Sequence, residues 1–199
     1  MAAAGMDAAP VSETIDKPKE ACQRMYALLE SGLMSDVEIE LDSGDRVKAH
    51  RCVLAVASPY FREVLESGVG ETEEAGVVKL PDVDLRLFKK ALQFLYTGWI
   101  SLTDSDAAAM LPMAAEWGTK GLRLACEHTM SKHISVSNVC ESLTSAFKCG
   151  ATELRDRCLG YIAKNGTAVL AGDAFLTLPK PCVEMVLRDG NLMVGTELE

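Results

Sequence analysis

Residues 36–49 alternate with a period of two. Val37, Ile39 and Leu41 fall on one side, and Asp36, Glu38 and Glu40 on the other. Asp42-Ser43-Gly44-Asp45 supplies turn chemistry, after which Val47 and Ala49 resume the apolar side. That pattern specifies a β-hairpin with one buried face. The next stretch cannot extend the meander. His50-Arg51 runs into Cys52-Val53-Leu54-Ala55-Val56-Ala57, and Ser58-Pro59 then interrupts in the manner of a helix cap and a first-turn proline. Two short helices at an angle fit this better than a strand, the second carrying Phe61, Val64 and Leu65. A one-sided sheet must be covered, and the covering here is helical.

The flanking residues extend the α+β reading. Residues 1–17 are small and polar, without periodicity, and read as a disordered tail. From Pro18, the residues Cys22, Met25, Tyr26, Leu29 and Leu33 follow helical spacing up to Gly32 and beyond. Residues 66–76 read as an acidic, glycine-rich loop, followed by a short strand over Val77–Leu80. Asp84 caps a helix with Leu85, Phe88, Ala91, Leu92 and Leu95 inward, and Gly98 ends it. Trp99-Ile100-Ser101-Leu102 reads as a further short strand. Helices follow from Thr103 or Asp104, with Pro112 predicting a kink or frayed turn, and from Thr119. Beyond His133 the pattern is helical throughout: from Ser137 to Gly150, from Ala151 to Lys164, and from Pro181 to Arg188. No internal repeat has a solenoid period.

With 199 residues, 48% of them apolar, the chain can bury a core. Its net charge of −9, without a basic block, argues against nucleic-acid binding, which draws most of its non-specific affinity from phosphate contacts. The first residues lack the basic and apolar regions of a signal peptide. No apolar run approaches the ~20 residues that span a bilayer. A soluble protein of the cytoplasm or nucleus is expected, with no membrane partner. The seven cysteines include no CxxC pair, so free thiols packed as small hydrophobes are expected, and no metal.

Catalysis finds little support. No GxSxG, Walker loop, GxGxxG or HExxH occurs. Cys126 and His128 stand two apart on a helix, so their side chains diverge and cannot form a dyad. His50 lies at the hand-over from hairpin to helix, where a structural role suffices. No catalytic residue and no cofactor is expected.

The order of elements, with "SDVEIEL", "RVKAHRCVLAVASPYFREVLES", "VVKLPDVDLRLFKKALQFLYTGWISL" and "AAMLPMAAEWGTKGLRLACEHTM", resembles a BTB/POZ domain over residues 18–132. Pro112 matches a proline often found there. Residues 133–199 are similar to the N-terminal part of a BACK domain, the helical region that follows many BTB domains. They stop where that family continues, which implies a truncated member.

The resemblance implies a short sheet capped by a helical cluster, then an all-α segment. It implies a homodimer through the first helix, with Met25, Leu28, Leu29 and Leu33 as the buried face. Asp36 and Arg51 match a family acid–base pair near that surface, and a fold-supporting ion pair is the favoured role. Members that recruit the third cullin carry a hydrophobic-x-Glu motif after the helix corresponding to "FREVL". In this register Val69-Gly70-Glu71 occupies that place, with a solvated acidic loop as the alternative. A further cullin contact would fall around Trp117, which core packing also explains. The implied function is an adaptor bringing an unidentified substrate protein to a cullin-RING ubiquitin ligase. The alternative is a BTB self-association scaffold or transcription-linked module without a cullin. Neither a kelch repeat nor a MATH-like module stands in these residues to name the substrate.

Overall fold

The computed structural model describes residues 18–68 and 76–188. Helix α1 (Pro18–Ser31) precedes the hairpin of β1 (Val37–Leu41) and β2 (Arg46–Ala49). The helical pair α2 (Arg51–Ala57) and α3 (Pro59–Ser67) leads to β3 (Val77–Leu80) and α4 (Leu85–Thr97). Then come α5 (Asp104–Glu116), α6 (Lys120–Lys132), α7 (Val139–Lys148) and α8 (Thr152–Lys164). The short α9 (Gly166–Leu170) and α10 (Asp173–Leu176) precede α11 (Lys180–Arg188).

The sheet has the order β2-β1-β3. β1 pairs antiparallel with β2, Ile39 opposite Val47, and parallel with β3, Ile39 opposite Val78. The alternation in β1 does what the sequence demands: Val37, Ile39 and Leu41 are buried. Glu38 and Glu40 face outward and pair with Arg46 of β2, and Glu40 also with Lys79 of β3. The crossover from β1 to β3 is the α2–α3 pair, as a parallel connection requires.

The expected punctuation between α2 and α3 is present. Ser58 ends α2 and caps α3, its Oγ accepting the Phe61 N–H at 3.3 Å, with Pro59 in the first turn. The same hydroxyl donates to the Trp117 carbonyl at 2.7 Å, which ties this corner to the end of α5. Asp84 caps α4, and Gly98 closes it in the left-handed region at φ 68, where glycine escapes the Cβ penalty. Thr103 and Asp106 form a reciprocal capping box on α5.

Not every expectation holds. Residues 99–102 are not a strand: among the described residues no strand pairs with them. Ile100 and Leu102 pack on the core while Trp99 stays 62% exposed, so their alternation reflects one-sided packing and not a ladder. The helix α5 runs from Asp104 through Pro112 to Glu116. The linker after α8 contains α9 and α10, each too short for a readable period. Glu66 and Ser67, expected in the loop, finish α3, which ends at the left-handed Gly68.

The core runs from the inner face of the sheet through α4 and α5 into α7 and α8, with Phe61, Phe88, Trp117, Leu143 and Ile162 fully enclosed. No described helix is long and apolar enough to cross a membrane.

Candidate interaction surfaces

His50 occupies the hinge between β2 and α2, and both its ring nitrogens have partners. Nε2 lies 2.7 Å from the Leu33 carbonyl, which only accepts, so Nε2 carries a hydrogen. Nδ1 lies 2.8 Å from the Tyr96 hydroxyl, which also accepts the His50 backbone N–H at 2.9 Å. In the neutral ring Nδ1 is the acceptor, so the phenol donates to it and receives from the peptide. Burial pushes the Tyr96 hydroxyl up to about 12, so it keeps its proton. The histidine is structural: every polar atom it offers is used for holding segments together.

What it holds is the turn after α1. Leu33 is 64% exposed, and Met34 is 83% exposed with φ 61, a left-handed conformation rare for a non-glycine residue. The His50–Leu33 bond pins this turn at the start of α2. Along α2, Cys52 and Val56 stand four apart on one face. Cys52 is exposed and Val56 is 79% exposed. Leu33, Met34, Cys52 and Val56 are thus apolar side chains left exposed on the turn and on the helix it is pinned to.

The proposed face on α1 divides. Met25 and Leu29 pack on the core, and the Cys22 thiol donates to the Thr97 carbonyl at 3.1 Å, fastening α1 along α4. Leu28 is half-buried and Leu33 stays open. The sequence placed Val56 in an ordinary apolar run and gave Met34 no role, and only the tertiary placement reveals their exposure.

Asp36 and Arg51 do meet, through the peptide of Arg51. The Asp36 Oδ1 accepts the Arg51 N–H at 2.7 Å, a carboxylate on the first residue of α2 where the helix dipole favours negative charge. The Arg51 Nη2 donates to the Leu65 carbonyl at 2.7 Å, linking α2 to the end of α3.

Trp117 is 1% exposed. Its ring stacks at 6.5 Å on Tyr60, lies 4.9 Å from Phe61 and meets Phe88 edge-on at 6.0 Å. Core packing is its place in this fold. Val69, Gly70 and Glu71 lie outside the described residues. The helix that precedes them presents Arg62, Glu63 and Glu66 to solvent beside Pro59.

All seven cysteines are free. Burial raises the Cys126 and Cys158 thiols to about 12, which keeps them protonated and packed as hydrophobes. Among the described residues no group of three or more His, Cys, Asp or Glu is placed to hold a metal.

The closed core leaves apolar side chains exposed on a pinned turn and a neighbouring helix. The profile of the BTB/POZ domain matches residues 25–134, more than half the chain, and the chain belongs to that family. It is 33% identical over 157 residues to BTB/POZ domain-containing protein 9 of Drosophila melanogaster, covering 77% of this chain and 21% of that protein. It is 29% identical over 191 residues to Kelch repeat and BTB domain-containing protein 8 of Xenopus tropicalis, covering 94% of this chain and 31% of that one. The chain thus spans between a fifth and a third of these relatives' length. Among solved structures, the BTB domain of zebrafish PATZ1 superposes with a TM-score of 0.50 at 18% identity, over 61% of this chain and 100% of that one. That likeness is one of fold.

Proposed function

We propose that this chain is the dimerising and cullin-docking portion of an adaptor that brings a substrate protein to a cullin-RING ubiquitin ligase, in the cytoplasm or nucleus. The observation that carries the reading is membership of the BTB/POZ family together with the place of Val69-Gly70-Glu71, directly after the end of α3 at Gly68. The relatives' names, which include kelch repeats, describe longer proteins with a separate repeat module. Residues 133–199 are read as the N-terminal part of a BACK domain, and their helices α7 and α8 support that reading. The dimer forms through the exposed side chains of Leu33, Met34, Cys52 and Val56 with the outer part of α1.

Titration calorimetry of a cullin-3 N-terminal domain into this protein tests the docking. Val69→Ala removes part of a side chain whose burial contributes about 1.5–3 kcal/mol, so affinity falls by up to about tenfold. Glu71→Ala costs ~2–5 kcal/mol if its contact is desolvated. The double variant keeps the wild-type melting temperature. Tight wild-type binding that the double variant retains makes the motif match accidental. A wild type that does not bind leaves self-association without a cullin as the function.

A further inference from the structure

The edge of β2 away from β1 lies beside a groove of about 370 Å³ between the end of α1 and α4. Leu29, Val47 and Leu92 give it an apolar floor. Arg46, Lys48 and Lys89 line its rim, with Glu30 the one carboxylate among the lining residues. This is a cationic site on a chain whose net charge is −9. Arg46 is held by Glu40 at 2.8 Å. Lys48 and Lys89 pair with no carboxylate among the described residues.

Among the described residues no strand pairs with this edge. The Leu41 N–H bonds the Asp45 carbonyl on the β2 side, and the Glu38 N–H bonds the Gly76 carbonyl on the other. The odd residues of β1 therefore face β2. In the observed register their partners are Val47 and Ala49, which turns the peptide group of Lys48 to the outer edge. Gly32, at φ +61, supports this arrangement: a Cβ there would come within 3.2 Å of the Lys48 Cδ. The turn after α1 thus seats the lysine stem along the edge.

We propose that this edge docks an extended acidic peptide from a partner protein, added as a fourth strand against β2. An apolar side chain of the peptide rests on Leu29, Val47 and Leu92, and its carboxylates meet Lys48 and Lys89. Backbone pairing at a sheet edge supplies affinity, and the alternate side chains supply selectivity. Charge complementarity selects the occupant. A second copy of this chain pairing through β2 would bring Arg46 and Lys48 against their equivalents, an arrangement that blocks edge-to-edge association. An acidic strand reverses that repulsion into attraction.

The test is fluorescence anisotropy with a fluorescein-labelled peptide of four alternating Glu-Val units. Saturable binding is expected in the range ~10–500 μM, weakened when salt rises from ~0.05 to ~0.3 M. Lys48→Glu with Lys89→Glu lowers affinity at least about tenfold, which corresponds to ~1.4 kcal/mol. Both lysines are solvent-exposed, so the melting temperature stays within that of a surface change. Lys89→Glu alone gives an intermediate loss if the pair unsettles the fold. The matching Lys-Val peptide does not bind. Absence of saturable binding, equal binding by the reversed-charge variants, or equal binding of the Lys-Val peptide each overturns the proposal. So does a sedimentation result in which the reversed-charge variants dissociate a dimer, since a second copy would then occupy the edge.

Discussion

The Tyr96 hydroxyl serves two atoms of the same residue, donating to His50 Nδ1 and accepting from the His50 peptide. Removing it strands a buried donor and a buried acceptor together, so the cost is one of desolvation and not merely of lost attraction. Tyr96→Phe is expected to lower stability by about 1–3 kcal/mol, or roughly 2–10 °C in Tm, measured by thermal melting at neutral pH. An unchanged Tm means this network contributes nothing net. His50→Ala loses more, because it also frees the Leu33 carbonyl and the turn it pins. The role of His50 as a joint was legible from its position between the alternating hairpin and the helical run. Its two partners were not, because Leu33 and Tyr96 are 17 and 46 residues away and no local pattern marks such a pairing.

Among the elements, α4 and α5 are clamped by one carboxylate. Asp106 is almost fully enclosed, and Lys90 and Arg86 of α4 both bind it. The Lys90 ammonium above all, then Arg86 and the Thr103 cap, outweigh burial and hold the Asp106 carboxyl well below its usual range. Since the folded state favours the ionised form, this stabilisation is complete above the unfolded value of about 3.9. It starts to fall below that value and is gone only once the pH has passed through the lower folded value. Asp106→Asn is therefore expected to melt several degrees lower at pH 7, with the gap to wild type starting to narrow below about pH 4 and closing only in stronger acid, where the folded carboxyl itself takes up a proton. A gap that stays constant with pH rules out an ionic clamp. A second carboxylate joins the two halves of the chain. The buried Glu127 of α6 accepts the Leu154 N–H of α8 at 3.3 Å, capping a helix whose own N-cap residue, Ala151, offers no side-chain bond. Arg123 approaches Glu127 at 3.3 Å without hydrogen-bond geometry. Glu127→Ala should cost about 0.5–2 kcal/mol as a lost cap. It should also speed hydrogen exchange of the first α8 amides while α4 stays protected. Equal exchange across α8 in both proteins overturns this. Capping from a distant helix leaves no mark in local sequence, whereas Ser58, Asp84 and Thr103 act within three residues and were readable directly.

At the scale of the molecule, the exposed side chains of Leu33, Met34, Cys52 and Val56 carry the dimer proposal. Wild-type protein at tens of micromolar is expected to sediment as a dimer, and Met34→Asp with Val56→Asp as a folded monomer. A monomeric wild type, or a dimeric double variant, overturns the assignment of this surface. The fold was legible because the hairpin's period of two and the helix caps are short-range signals that agree with one another. Residues 99–102 misled because a one-sided extended segment and a strand share the same alternation. Those exposed side chains stayed hidden because hydrophobicity alone does not say which apolar residues the packing leaves outside. Val69 to Glu71 were singled out by family resemblance, as three loop residues carry no periodicity of their own.

The parallel pairing of β1 with β3 also bears on how the chain is made. Glu38 of β1 lies opposite Val77, roughly forty residues onward, whereas the β1–β2 hairpin closes over a four-residue turn. Local closure is entropically cheaper, so the hairpin precedes the third strand, and α2 and α3 must form and fold back before β3 can reach its place. During synthesis, β1 therefore spends an interval with its outer edge vacant and three apolar side chains beside it. Glu38 and Glu40 then act as gatekeepers: like charges opposed across two nascent chains discourage the intermolecular pairing that would otherwise begin a deposit. The same glutamates join Arg46 and Lys79 once the sheet is complete.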